Sequence, residues 1–202
     1  MSFIHNFIPG TKPATVLVLH GQGGDENDFL PIARALAPGA SFLSPRGKVL
    51  ENGAARFFAR VSRDEFDETE VRSRSRELAE WIGESVTKYS LDASEIYALG
   101  FSNGASIAAS VMLLHPGTIA GGLLLRPRSI IEPADLPDLS GAQVMVIAGE
   151  HDEKMPPGAA EQLARLLGRA GAAVDLGIAD AGHELTPHDF AAGKACFTKL
   201  MG

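Results

Sequence analysis

Short apolar runs recur along the chain: Thr15-Val16-Leu17-Val18-Leu19, Ile96-Tyr97-Ala98-Leu99, Gly122-Leu123-Leu124-Leu125 and Gln143-Val144-Met145-Val146-Ile147-Ala148. Each is too short for a helix and lacks strict apolar–polar alternation, which is how a strand buried on both faces of a parallel sheet reads. Phe3 to Ile8, Ala40 to Leu43 and Ala173 to Ile178 complete about seven strands, with Pro9 putting the first at an edge. Between them lie segments of helical spacing: Phe29 to Ala37, Glu68 to Tyr89, the stretch ending at Leu114, Gly158 to Ala170 and Pro187 to Leu200. Strand and helix alternate throughout, so the expected architecture is α/β, a mostly parallel sheet with helices on both faces, in one domain over residues 1–202.

At a formal charge of −7 and without a Lys/Arg cluster, the chain lacks the concentrated positive charge of a nucleic-acid surface. Arg72, Arg74 and Arg76 alternate within an acidic helix and read as a solvated face. Cys196 is the single cysteine, which excludes an internal disulfide and a multi-cysteine zinc site. No apolar run reaches the ~20 residues of a membrane span. Met1 to Gly10 has no charged segment leading into an apolar one, so a cytoplasmic protein is expected.

In an open parallel sheet, ligands bind beyond the carboxyl ends of the strands. The residues there are His20-Gly21-Gln22-Gly23-Gly24, then Ser102 within Gly100-Phe101-Ser102-Asn103-Gly104, then Asp152, then His183. G-x-S-x-G lets a sharp strand-to-helix turn raise a serine hydroxyl above the sheet, though a turn with a helix-capping serine has the same pattern. A serine hydroxyl needs a base to take its proton, and His183 is the candidate, with Asp152 to orient the ring. Glu150, Glu153 and Asp180 compete with Asp152 for that role. An oxyanion needs preorganised donors, and the backbone N–H groups of Gln22 and Asn103 are the candidates. His20 reads as shaping its loop.

Two other patterns point elsewhere and fail. His183 and His188 are five residues apart with Pro187 between them, so they cannot share a helix face as zinc ligands, and no metal is implied. The third glycine of a dinucleotide fingerprint would fall at Glu26, whose charge repels phosphate. Locally, Asp25, Asn27 and Asp28 are candidate caps for the helix from Phe29. Asp67 with Glu70, and Thr186 with Asp189, are candidate capping boxes. Ser44 to Gly47 reads as a loop leading to Phe57 and Phe58, an aromatic pair that either packs on the sheet or lines a pocket. Arg126 to Ser140, with three prolines, reads as an irregular connection.

Taken together, Leu19 to Glu26, Gly100 to Ala105, Gly149-x-x-Asp152-x-x-x-Pro156 and Ala181 to Leu185 resemble the phospholipase/carboxylesterase family of α/β-hydrolases. Arg46-Gly47, Asn52-Gly53 to Phe58 and Leu125-Arg126-Pro127 are similar to its bacterial subgroup associated with hydroquinone resistance, with Phe57, Phe58 and Arg126 as substrate-binding candidates. The resemblance implies an α/β-hydrolase fold and a largely lidless serine carboxylesterase for small-molecule esters, short-chain or aromatic, often dimeric and without cofactor. The alternatives are an acyl thioesterase or lysophospholipase with the same three residues, and a noncatalytic binding protein. Dienelactone hydrolases share the scaffold but use a cysteine, a place Cys196 in the last helix cannot take. One departure stands out: Arg128-Ser129-Ile130 occupies the place where a small apolar residue and a valine-proline are expected, which alters the shape and charge of the pocket rim.

Overall fold

The computed structural model describes residues 2–62 and 65–202. A seven-stranded sheet has the order β1 (His5–Ile8), β3 (Ser41–Pro45), β2 (Thr15–Leu19), β6 (Ile96–Phe101), β7 (Gly121–Leu125), β8 (Gln143–Gly149), β9 (Ala173–Ala179). β1 runs antiparallel on the edge and every other pairing is parallel. The sheet is thus the one expected, with β1 shorter at its start.

Helices cover both faces, which is why nearly every residue of the central strands β2, β6 and β7 is buried. α2 (Glu68–Tyr89), α3 (Asn103–Leu114) and α4 (Ala159–Arg169) share one core with Leu17, Leu19 and Val146. α1 (Leu30–Leu36) and α5 (Pro187–Met201) share the other with Val16, Val18 and Ile147. Neighbouring residues of one strand therefore point into different cores, each large side chain contributing roughly 1.5–3 kcal/mol by burial. The chain leaves β2 through α1 to β3 on one side and later returns through α2 to β6 on the other. The crevice at that reversal, between β2 and β6, is where a site is expected.

Several local readings are corrected. The segment after β3 holds a hairpin, β4 (Val49–Glu51) and β5 (Ala54–Arg56), turning at Asn52 and Gly53, both with positive φ. Asn-Gly is the strong signal for that turn, which the sequence reading passed over, and of the expected loop Ser44 to Gly47 the first two residues belong to β3. Asp25, Asn27 and Asp28 bond one another's backbone in the turn before α1, whose N-cap is Phe29 with no side-chain bond. Asp67 caps α2 through Thr69 and Glu70, but the Glu70 carboxylate turns to the Ala59 N–H and Arg74 instead of closing a box. Thr186 and Asp189 do form the reciprocal box at α5. Arg72 and Arg74 lie in i,i+4 pairs with Glu68 and Glu70. Among the described residues, no helix is long and apolar enough to cross a membrane.

Candidate active site

Ser102 stands where β6 becomes α3, with φ 53° and ψ −112°, a backbone conformation rare for a side-chain-bearing residue. Its neighbours fix it there: its N–H donates to Leu125 O at 2.8 Å, and its carbonyl accepts from the Ser106 N–H and hydroxyl, each at 3.0 Å. The flanking glycines are steric necessities. A Cβ on Gly100 would lie 2.6 Å from Ala105 Cα, and one on Gly104 would collide with the Leu19 carbonyl.

Although Ser102 is the N-cap of α3, its hydroxyl makes no capping bond. Its Oγ lies 3.0 Å from His183 Nε2, and His183 Nδ1 lies 2.8 Å from Asp152 Oδ2. The structure thus joins three residues from the ends of β6, β8 and β9. Asp152 is 3% exposed at its side chain, and its other oxygen accepts the Lys154 N–H at 2.9 Å. Of its competitors, Asp180 faces His151 at the surface. The His183 ring rests against Phe101, centroids 5.1 Å apart, and Phe101 stacks on Phe29 at 5.4 Å.

Gln22 and Asn103 both line the cleft beside Ser102. The Asn103 N–H, first in α3, has no intrahelical acceptor and carries the positive end of the helix dipole. The Gln22 loop is pinned by β5: Gly23 N–H donates to Ala55 O at 2.9 Å, and an Arg56 N–H to Gln22 Oε1 at 2.7 Å. His20 is buried, with Nδ1 2.6 Å from Gly21 O and Nε2 accepting the Gly47 N–H at 2.9 Å. Burial pushes its pKa down, so it bridges these two loops as a neutral ring.

The three substrate-binding candidates divide. Phe58 lines the cleft. Phe57 packs on the His20 ring at 4.8 Å, and its N–H donates to Asn103 Oδ1 at 2.7 Å, which makes it a support. Arg126 is the correction: its side chain has no exposure, and it binds Asp189 through two bonds of 2.7 and 2.9 Å. Its other N–H groups meet Gly182 O, Glu184 O and Ile147 O, so it grips the chain on either side of His183 and has no donor left for a ligand. Cys196 is buried in α5, and burial pushes its thiol up to about 12, unsuited to a nucleophile. The cleft also takes in Arg56, Phe66, Ser106, Arg128, Lys154 and Met155. Of these only Arg128 stood out in the sequence, since no local pattern marks which side chains meet across loops.

His188 lies in α5 and His183 before it, so the two share no helix face. Among the described residues, Glu150, His151 and Asp180 are the group with donor atoms within 4.8 Å of one another. All three are exposed, and a surface ion pair at 3.2 Å accounts for two of them.

A seven-stranded, mostly parallel sheet with helices on both faces is the α/β-hydrolase fold, and here Ser102, Asp152 and His183 follow β6, β8 and β9. The chain belongs to the phospholipase/carboxylesterase family, whose model matches residues 9–196. The protein MhqD of Bacillus subtilis is 38% identical over 185 residues, 92% of each chain. A crystal structure of the Bacillus cereus carboxylesterase superposes with a TM-score of 0.93 at 36% identity, covering 96% of this chain and 93% of that one. A protein of unknown function from Agrobacterium tumefaciens superposes with a TM-score of 0.90 at 32% identity, covering 99% and 97%.

Proposed function

We propose that this carboxylesterase-family hydrolase is a serine esterase acting on short-chain or aromatic carboxylic esters through an acyl-serine intermediate. The Ser102 oxygen attacks the ester carbonyl carbon as its proton passes to His183 Nε2. Asp152 holds Nδ1–H, fixing the tautomer that leaves Nε2 free to accept and stabilising the imidazolium that results. The tetrahedral oxyanion meets the backbone N–H groups of Gln22 and Asn103. Collapse breaks the bond to the alcohol, which leaves with the proton from His183. Water then repeats the sequence on the acyl group, returning the serine hydroxyl and releasing the acid. Phe58, Phe66 and Phe101 supply apolar walls suited to an aryl or short alkyl group.

The observation that carries the reading is the choice made by the Ser102 hydroxyl: it forgoes the helix cap and meets His183 at 3.0 Å. Ser102→Ala is expected to lower kcat for a phenyl ester by roughly 10⁴–10⁶-fold with the fold retained by circular dichroism. An organophosphonate should label one serine, and peptide mapping should find it at 102. Turnover surviving in the alanine variant, or a label on another serine, would remove Ser102 from the role of nucleophile.

A further inference from the structure

In the esterase reading the two N–H groups that receive the oxyanion come from separate parts of the sheet: Gln22 follows β2, and Asn103 opens α3 after β6. Their spacing is therefore set by tertiary contacts, and one short segment touches both. The Ala55 carbonyl accepts the Gly23 N–H at 2.9 Å. Arg56 Nη1 donates to Gln22 Oε1 at 2.7 Å. The Phe57 N–H donates to Asn103 Oδ1 at 2.7 Å. Three consecutive residues, from the end of β5 onward, thus bond the Gln22 loop on one side and the start of α3 on the other.

That segment is itself fixed. Arg56 is buried, its Nε donates to Phe58 O at 3.1 Å, and Glu51 Oε2 lies 3.3 Å from its Nη1, so its charge is met within the hairpin. Although Arg56 borders the cleft, its guanidinium is engaged by the protein's own groups. A Cβ on Gly47 would collide with the Arg56 carbonyl, and the Gly47 N–H donates to His20 Nε2 at 2.9 Å. The His20 ring in turn lies against Phe57. A planar guanidinium bonded in this way fixes direction as well as distance, which a flexible ammonium does not.

We propose that Arg56 is a positioning residue for the oxyanion site: it holds Gln22 while the adjoining Phe57 N–H holds Asn103, so that the β4–β5 hairpin sets the separation of the two donors. The proposal rests on the esterase reading of Ser102, and it gives Arg56 no contact with substrate. An oxyanion donor acts only where the charge develops: losing one costs about 10²–10³ in kcat, and a displacement of about 1 Å can cost about 10². Releasing Gln22 therefore weakens the transition state, while the neutral ground state binds as before.

Arg56→Met removes the bonds and keeps the apolar stem. Its kcat for phenyl acetate should fall about 10–100-fold with KM within about threefold of wild type. A matched pair of ketones separates positioning from a merely structural role. 1,1,1-Trifluoro-4-phenylbutan-2-one takes the Ser102 oxygen at its carbonyl carbon as the proton passes to His183, leaving a hemiketal oxyanion between the two donors; 4-phenylbutan-2-one binds without adding. Affinity for the first should fall by about the same factor as kcat/KM, and affinity for the second should hold. Gln22→Met, which removes the acceptor, should show the same split, and the double variant should be no worse than either single. Arg56→Lys, which keeps the charge and one donor, should fall between Arg56→Met and wild type. Unchanged kcat and ketone affinity in Gln22→Met and in the folded Arg56 variants would overturn the proposal, and so would equal losses for both ketones. Should Arg56→Met fail to fold, Arg56→Lys and Gln22→Met decide in the same way. A wild-type protein that neither hydrolyses esters nor binds the trifluoromethyl ketone would overturn the esterase reading itself, whereas a failure confined to the variants leaves that reading standing.

Discussion

Arg126 and Asp189 form a pair in which each side chain is almost wholly removed from water, at 0% and 2% exposure. Burial works against the charge on Asp189, but the bonds to Arg126 and Thr186 outweigh it and hold its pKa below the ordinary carboxylate value. Removing one partner leaves the other charge buried and uncompensated. Asp189→Asn is therefore expected to lower the unfolding free energy by roughly 3–5 kcal/mol, read from urea unfolding. Because Arg126 also holds Gly182 O and Glu184 O, phosphonate labelling of Ser102 should slow in the folded variant. From the sequence, Asp189 could be read as the N3 residue of a capping box, a local pattern. Its second role, as counter-ion to a residue 63 positions away, has no local signature.

At the scale of elements, α3 lies so close to β2 that Gly104 touches the Leu19 backbone. A methyl group there must displace backbone, so Gly104→Ala should destabilise by roughly 1–3 kcal/mol or more through overpacking. Gly83 in α2 has open space around its would-be Cβ, and Gly83→Ala should stabilise by roughly 0.5–1 kcal/mol. An unchanged or raised urea midpoint for Gly104→Ala would refute this account of the α3–β2 contact, and a lowered one for Gly83→Ala would refute the reading of Gly83. The long helices and buried strands were legible because their periods and stop signals are local. Glu70 deceived because its carboxylate had a better partner in the Ala59 N–H, supplied by a loop that no helix pattern describes.

For the whole molecule, burial lowers the pKa of His20 and of His115. The folded state thus resists protonating them while the unfolded chain does not, so their contribution is full above about pH 6.5 and is lost as pH falls through their lowered folded values. Asp189 adds a second loss in the acid range, and so does Glu77, where bonds to Lys48 and Arg74 outweigh the cost of burial. Thermal melts should therefore show a stability plateau above about pH 7, a decline beginning near 6.5 and a further decline below about 4. An unchanged melting temperature from pH 7 to 5 would contradict the buried-histidine account. The sequence by itself determined the alternating architecture and which reactive residues end the strands, since periodicity, turn chemistry and strand ends are properties of neighbours along the chain. Only the tertiary structure decided that Asp152 turns toward His183 while Asp180 stays at the surface, that Arg126 is a buried strut, and that cations gather beside Ser102. Those outcomes depend on distance and burial between segments far apart in sequence, which no local pattern encodes.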